Sequence, residues 1–106
     1  MNKTEFGLSE ETIKRIRKIL SSFPEIEEVV IYGSRAKGNF KPGSDIDLTF
    51  KGEKLTHNIL SRINITLDDL LLPYKIDISL FRNIDNEDLI GHISRVGKIF
   101  YRKLKT

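Results

Sequence analysis

The sequence predicts an α+β fold in which helices pack against a small mixed β-sheet. Residues 45–51 alternate polar and apolar side chains, which is the period of a β-strand. Residues 13–20 repeat Ile and Leu at helical spacing, with Lys and Arg on the opposite face. Residues 29–32 form a β-branched and aromatic run that is typical of a buried strand. Together these segments indicate one sheet with helices packed on it.

The first half of the chain gives the order helix, strand, turn, strand. A serine and two acids at residues 9–11 are typical of a helix start, and Pro24 follows that helix. The buried strand over 29–32 leads into residues 33–44, GSRAKGNFKPGS, whose Ala-Lys pair is compatible with a single helical turn. The alternating strand over 45–51 comes next.

The second half adds helix, strand, helix, so the order is α-β-β-α-β-α. Apolar residues at helical spacing over 55–71 predict a second long helix, which Pro73 closes. Residues 75–81 alternate again and predict a third strand. Asn86 caps a last helix, and residues 98–101 predict a short edge strand.

Length and composition limit the classes of function. A chain of 106 residues has room for one domain, residues 1–106, and none for a separate substrate domain. It has no cysteine, which excludes thiol catalysis and cysteine-ligated metals. The polar N-terminus and the lack of a long apolar run predict a cytoplasmic protein. The net charge of +3 is too small to indicate nucleic-acid binding by itself.

Three carboxylates fall on the polar faces of two predicted strands. Asp45 and Asp47 are two residues apart and therefore project from the same face, and Asp77 lies between two inward isoleucines on the third strand. If the strands pair, the three converge and repel one another unless a cation compensates. Mg²⁺ is the usual partner of carboxylates and phosphates, and two ions about 3.5–4 Å apart would suit phosphoryl chemistry.

A glycine–serine turn precedes these carboxylates. Gly33 allows the backbone to approach a ligand closely, and the Ser34 hydroxyl with neighbouring N–H groups can hold phosphate oxygens. Arg35, Lys37 and Lys41 are expected to surround the turn with positive charge. Either feature alone is common in ordinary turns and surfaces. Their joint occurrence on consecutive elements indicates nucleotidyl transfer from a nucleoside triphosphate.

Histidines and tyrosines give no comparable signal. His57 and His92 each lie alone on a predicted helix and are interpreted as structural or exposed. Tyr32, Tyr74 and Tyr101 indicate only packing.

Gly33-Ser34, ten further residues and then Asp45-Ile46-Asp47 resemble the GSx10DxD signature of the DNA polymerase beta nucleotidyltransferase superfamily. The short chain resembles its smallest branch, the minimal nucleotidyltransferases (MNT), which are encoded beside HEPN-domain proteins in toxin–antitoxin pairs. Residues 72–77 resemble the strand that carries the third carboxylate. The resemblance implies a polymerase-beta-like palm fold in which Asp45 and Asp47 ligate both magnesium ions and Asp77 completes the site on the nucleophile side.

The resemblance also implies the nucleotide contacts. Ser34 and the Gly33 backbone would hold the β- and γ-phosphates, and Lys37 stands where many relatives carry arginine. Ser44 would complete the nucleotide-binding loop.

In this family the antitoxin transfers AMP from ATP to a tyrosine hydroxyl of the HEPN ribonuclease and releases pyrophosphate. The resemblance therefore implies ATP, Mg²⁺ and a HEPN toxin bound in a hetero-oligomer, with no membrane and no nucleic-acid partner. Three alternatives stay open: neutralisation by complex formation without catalysis, nucleotidylation of a small molecule such as an antibiotic, and addition to RNA 3′ ends.

Overall fold

The computed structural model describes residues 4–104, and its helices and strands follow the predicted order with additions at both ends. The strands are β1 Thr4–Glu5, β2 Leu8–Ser9, β3 Glu28–Tyr32, β4 Ile46–Lys51, β5 Ile76–Leu80 and β6 Lys98–Arg102. The helices are α1 Glu10–Ser21, α2 Ser34–Lys37, α3 His57–Asp68 and α4 Glu87–Val96, with a 3-10 turn at Phe81–Asn83. The short β1–β2 hairpin and the 3-10 turn are the elements that sequence patterns did not predict.

Side-chain caps begin the three long helices. The Ser9 hydroxyl accepts a hydrogen bond from the Thr12 amide at 3.1 Å, and the Thr56 hydroxyl accepts one at the start of α3. Asn86 does the same for α4, as predicted from the sequence. Each cap satisfies an amide that would otherwise have no intrahelical acceptor, which explains where these helices begin.

The main sheet has the strand order β5-β4-β3-β6. β3 pairs antiparallel with β4 and with β6, whereas β4 and β5 run parallel. A parallel pair needs a crossover, and α3 supplies it. The sheet is therefore mixed, as predicted, and β6 is the predicted edge strand.

One face of the sheet carries the hydrophobic core against α1 and α3. Its fully or almost fully buried side chains include Ile16, Ile31, Leu48, Ile63 and Phe100. The opposite face is not simply solvated, because Thr49 is completely buried there and accepts a hydrogen bond from the Ser79 hydroxyl at 3.1 Å. α4 packs on this second face against β3, where Gly97 lies next to Val30 and His92 next to Tyr32.

None of the helices within residues 4–104 has the length and apolar character required to span a bilayer.

Candidate active site

Asp47 and Asp77 lie side by side on neighbouring strands. The parallel register of β4 and β5 pairs Asp47 with Asp77, and the antiparallel register of β3 and β4 pairs Tyr32 with Asp47. Paired strands are about 4.8 Å apart, so the two carboxylates on one face are close neighbours. Asp45 is exposed and immediately precedes β4. The sheet thus brings together the carboxylates that the sequence placed on separate strands.

Burial and the charges of the carboxylate pair, Asp47 and Asp77, raise pKa values at this end of the sheet. Partial burial raises the pKa of Asp47 above its usual value, and the charges of Asp77 and Asp45 raise it further. His92 and Lys75 act in the opposite direction on the same pKa. Burial also raises the pKa of Tyr32, and the charges of Asp47 and Asp77 add to that increase. The protein by itself therefore leaves excess negative charge at this end of the sheet.

The donors at this end suit a hard divalent cation. Carboxylate oxygens are the ligands that Mg²⁺ prefers, and Mg²⁺ commonly uses one or two of them together with substrate phosphates. In this structure the Lys75 ammonium pairs with Asp77, and its Nζ lies 3.6 Å from Asp77 Oδ1. Across residues 4–104 no three His, Cys, Asp or Glu side chains converge as a complete ligand set. The donors fit an ion that shares its coordination with a bound phosphate better than a closed protein cage.

Gly33 connects β3 to the next turn in a conformation that other residues rarely adopt. Its φ is 76° and its ψ is −157°. A β-carbon at this position would overlap Asp47 Oδ2. Glycine is therefore favoured at position 33 by its backbone conformation, and an added β-carbon would also displace the Asp47 carboxylate. The turn and the carboxylate pair form one continuous site.

Ser34 and Lys37 begin and end the single helical turn α2. The amides of Ser34 and Arg35 open this turn and have no helical carbonyl before them. Ser34 is half-buried, whereas Lys37 is exposed at the end of the turn, where Gly38 takes a φ of 91°. One turn carries little macrodipole, so any attraction for an anion comes from these amides, the hydroxyl and the lysine charge.

Arg35 corrects an expectation, because it does not lie beside the turn as a phosphate-facing charge. Its side chain is only 2% exposed. The guanidinium donates two hydrogen bonds to the Ser44 carbonyl, at 3.1 and 2.8 Å, and one to the Phe6 carbonyl at 2.9 Å. The guanidinium also stacks on the Tyr74 ring, and Arg35 Cζ lies 4.8 Å from the ring centroid. Arg35 holds three chain segments together, and it is satisfied within the fold.

Ser44 shapes the loop that leads into β4. Its hydroxyl accepts a hydrogen bond from the Lys41 amide at 2.8 Å, and its own amide donates to the Lys41 carbonyl at 3.0 Å. Its carbonyl is the acceptor for Arg35. These bonds account for a serine at this position, and the predicted contact of Ser44 with nucleotide stays a prediction.

Two residues at the site escaped the sequence analysis. The Gly33 amide donates a hydrogen bond to His92 Nε2 at 3.1 Å, and the His92 ring lies edge-on to Tyr32. His92 is thus not isolated, and the Gly33 amide is already engaged within the protein. Tyr32 lies in register with Asp47, at the end of a strand whose apolar run indicated only packing. Tyr32 could have been assigned to the site only from the pairing of β3 with β4, which places it opposite Asp47. No sequence pattern pointed to His92.

Comparisons with known proteins identify the family. A family model described as "Polymerase beta, Nucleotidyltransferase" matches residues 14–106. No curated protein sequence matches significantly.

Solved structures of toxin–antitoxin complexes resemble the fold. One, a toxin–antitoxin with AMP-PNP, has 20% identity and a TM-score of 0.69, covering 86% of this chain and 73% of that chain. A tri-AMPylated Shewanella oneidensis HEPN toxin in complex with MNT antitoxin has 18% identity and a TM-score of 0.65, covering 89% and 72%. The MntA-HepT toxin–antitoxin has 18% identity and a TM-score of 0.63, covering 89% and 73%. Since the family model spans nearly the whole chain, the protein belongs to the polymerase beta nucleotidyltransferase family.

Proposed function

We propose that this chain is a Mg²⁺-dependent adenylyltransferase that transfers AMP from ATP to a tyrosine hydroxyl of a partner HEPN-domain toxin and so acts as its antitoxin. The observation that carries the proposal is the contact of Gly33 with Asp47, which in turn lies in register with Asp77. This arrangement puts a glycine–serine turn of the kind that suits phosphate binding directly beside paired carboxylates. The similarity to an AMPylated HEPN toxin in complex with MNT antitoxin supports the choice of acceptor.

The roles of the residues follow from their order across the sheet. The Gly33 turn lies at the end of β3, on one side of Asp47, and Asp77 lies on the other side, on the edge strand β5. In-line transfer requires the leaving pyrophosphate and the attacking oxygen on opposite sides of the α-phosphorus. If the triphosphate lies over Ser34 and Lys37, beside β3, the acceptor would approach from the side of β5.

A cavity on the β5 side suits an acceptor side chain. It has a volume of about 520 Å³, and Asp77, Lys75, Tyr74, His57 and Asn64 are among its lining residues. Its size is within the range of small-ligand sites, and Asp77 links it to the carboxylate pair. A phenol entering this cavity would place its hydroxyl near Asp77, which could accept the proton as the new oxygen–phosphorus bond forms.

Magnesium, when bound by Asp45, Asp47 and Asp77 with the phosphates, would neutralise the negative charge of the triphosphate and of the leaving group. The protein supplies the rest. The carboxylates orient the site, the Gly33 turn holds the phosphates, and Asp77 faces the acceptor.

The test is transfer of label from α-labelled ATP to the protein encoded by the adjacent reading frame, with Mg²⁺, followed by intact mass spectrometry. The expected product is heavier by one or more AMP units. The double variant Asp45→Asn/Asp47→Asn should abolish transfer. The control is the double variant Asp85→Asn/Asp88→Asn, which removes the same amount of charge from exposed positions at the start of α4. This control should retain label transfer. Label transfer by the Asp45/Asp47 variant would refute the site.

A growth assay separates catalysis from neutralisation by binding alone. Cells that express the partner toxin should grow with the wild-type chain and stop growing with Asp45→Asn/Asp47→Asn. Continued growth with that variant, without AMP on the toxin, would show that complex formation is sufficient.

A further inference from the structure

The Gly33 amide is fixed by a side chain from the opposite end of the sequence. Gly33 N–H points to His92 Nε2 at 3.1 Å, and the two residues are 59 positions apart. The Gly33 N–H belongs to the peptide that links Tyr32, the last residue of β3, to Gly33, and the positive φ of Gly33 then turns the chain toward Ser34. A partner for this amide therefore controls the direction in which the turn leaves the sheet.

His92 is held firmly enough to act as that partner. It lies near the middle of α4, next to Ile93, which is buried against the sheet. Its ring meets Tyr32 edge-on, with 6.2 Å between centroids and an interplanar angle of 79°. Tyr32 precedes Gly33 directly, so the imidazole contacts both residues of the peptide that it orients. Accepting through Nε2 places the proton of the neutral ring on Nδ1.

Gly33 itself lies close to Asp47, one member of the carboxylate pair. A β-carbon on Gly33 would overlap Asp47 Oδ2, so a small rotation of this peptide changes the distance between the turn and the carboxylate. The Gly33–His92 hydrogen bond is thus the contact that connects α4 to both parts of the site.

We propose that His92 is a positioning residue, whose Nε2 holds the Gly33 amide and thereby sets the turn at Gly33-Ser34 against Asp47 for triphosphate binding. The proposal rests on the proposed nucleotidyltransferase function. His92 does not contact the phosphates in this role. It acts through Gly33 by holding the Gly33-Ser34 turn in place beside Asp47, and its loss weakens nucleotide binding.

Three substitutions separate the hydrogen bond from the packing of the ring. His92→Phe keeps an aromatic ring beside Tyr32 but has no acceptor, and His92→Gln restores an acceptor near the Nε2 position without a ring. Ser94→Ala changes an exposed residue of the same helix and serves as the control. Binding of the α,β-methylene analogue of ATP is measured by calorimetry with Mg²⁺, together with thermal unfolding of each variant.

The expected result is an affinity lower by about three- to tenfold for His92→Phe, the range of one lost hydrogen bond, with recovery in His92→Gln and no change in Ser94→Ala. In the transfer assay, KM for ATP should rise in His92→Phe more than kcat falls. Wild-type affinity in His92→Phe would overturn the proposal. Equal weakness of the Phe and Gln variants would assign the effect to the ring, and would overturn it as well.

A second readout is independent of catalysis. Hydrogen exchange of the Gly33 amide, followed by NMR without nucleotide, should be slow in the wild type and in His92→Gln and fast in His92→Phe. Equal exchange in the wild type and His92→Phe would overturn the proposal even if the chain binds ATP. If the wild type binds no nucleotide, the proposed function fails, and the exchange result still decides whether His92 holds Gly33.

Discussion

The backbone of Gly33 lies against the carboxylate of Asp47, so closely that no β-carbon fits between them. This contact joins the end of β3 to the start of β4 at the point where the two strands pair Tyr32 with Asp47. Ser34, the first residue of α2, directly follows this point of contact. Direct contact between the Gly33 backbone and the Asp47 side chain therefore limits the distance between the glycine–serine turn and this carboxylate.

Gly33→Ala should disable the site. The substitution meets both a positive φ and an overlap with Asp47 Oδ2, so we expect a loss of about 1–3 kcal/mol in the free energy of unfolding. Displacement of the turn should lower the transfer rate by about 100-fold. Gly43→Ala is the matched control, because a β-carbon there has no neighbour within 4 Å. Unchanged transfer by Gly33→Ala would contradict the importance of the contact.

Asp47→Asn should stabilise the metal-free protein while it abolishes transfer. Burial, Asp77 and Asp45 raise the pKa of Asp47 in the folded state above its usual value of 3.8. At a pH between the pKa of Asp47 in the unfolded state and its higher pKa in the folded state, the folded state binds more protons. Stability therefore falls as the pH rises through that range. At neutral pH the charged carboxylate is therefore unfavourable for folding, and asparagine removes that cost.

Thermal unfolding in a chelator tests this prediction. At pH 7 we expect a midpoint higher by about 3 °C, since solvent screening limits the effect at a partly exposed group. The difference should shrink as the pH falls through the raised pKa of Asp47, because the carboxyl of the wild type then gains its proton. Asp85→Asn, the same change at an exposed position, should produce no such increase. A lower midpoint for Asp47→Asn would be the contrary result.

Arg35→Lys should destabilise the fold, although it preserves the charge. A lysine ammonium cannot bond the Ser44 and Phe6 carbonyls together or stack on Tyr74 as the planar guanidinium does. We expect a cost of about 2 kcal/mol and a midpoint lower by about 10 °C. Lys37→Met provides the contrast. Lys37 is exposed, so its loss should leave the midpoint unchanged and weaken ATP binding. The opposite pattern would assign the phosphate contact to Arg35.

Lys75→Met should reduce the Mg²⁺ concentration needed for half-maximal transfer. The Lys75 ammonium lies 3.6 Å from Asp77 Oδ1 and competes with a cation for that carboxylate. Because the pair is exposed, we expect a change of about two- to threefold that diminishes at high salt. Lys54→Met removes the same charge beyond the far end of β4 and should have no effect. A higher Mg²⁺ requirement in Lys75→Met would show that Lys75 assists binding.

Local patterns predicted most of the secondary structure because short-range rules govern it. The caps at Ser9 and Asn86 and the alternation around Asp47 act within a few residues, and each appears in the structure as expected. The β1–β2 hairpin was not predicted, because two-residue strands carry too little periodicity. Arg35 was misplaced because a basic residue in a glycine-rich loop resembles a solvated one until its carbonyl partners, Phe6 and Ser44, are known.

The sequence by itself determined the element order, the carboxylates Asp45, Asp47 and Asp77 and the glycine turn, because spacing along a strand dictates which side chains share a face. Only the tertiary structure decided that Asp47 and Asp77 are direct neighbours, since strand order and register depend on packing of the whole sheet. It alone brought His92 to Gly33, across 59 residues, because helix docking has no local signal. The sequence was sufficient to identify the kinds of residue that form the site, but only the folded structure gives the distances between their side chains.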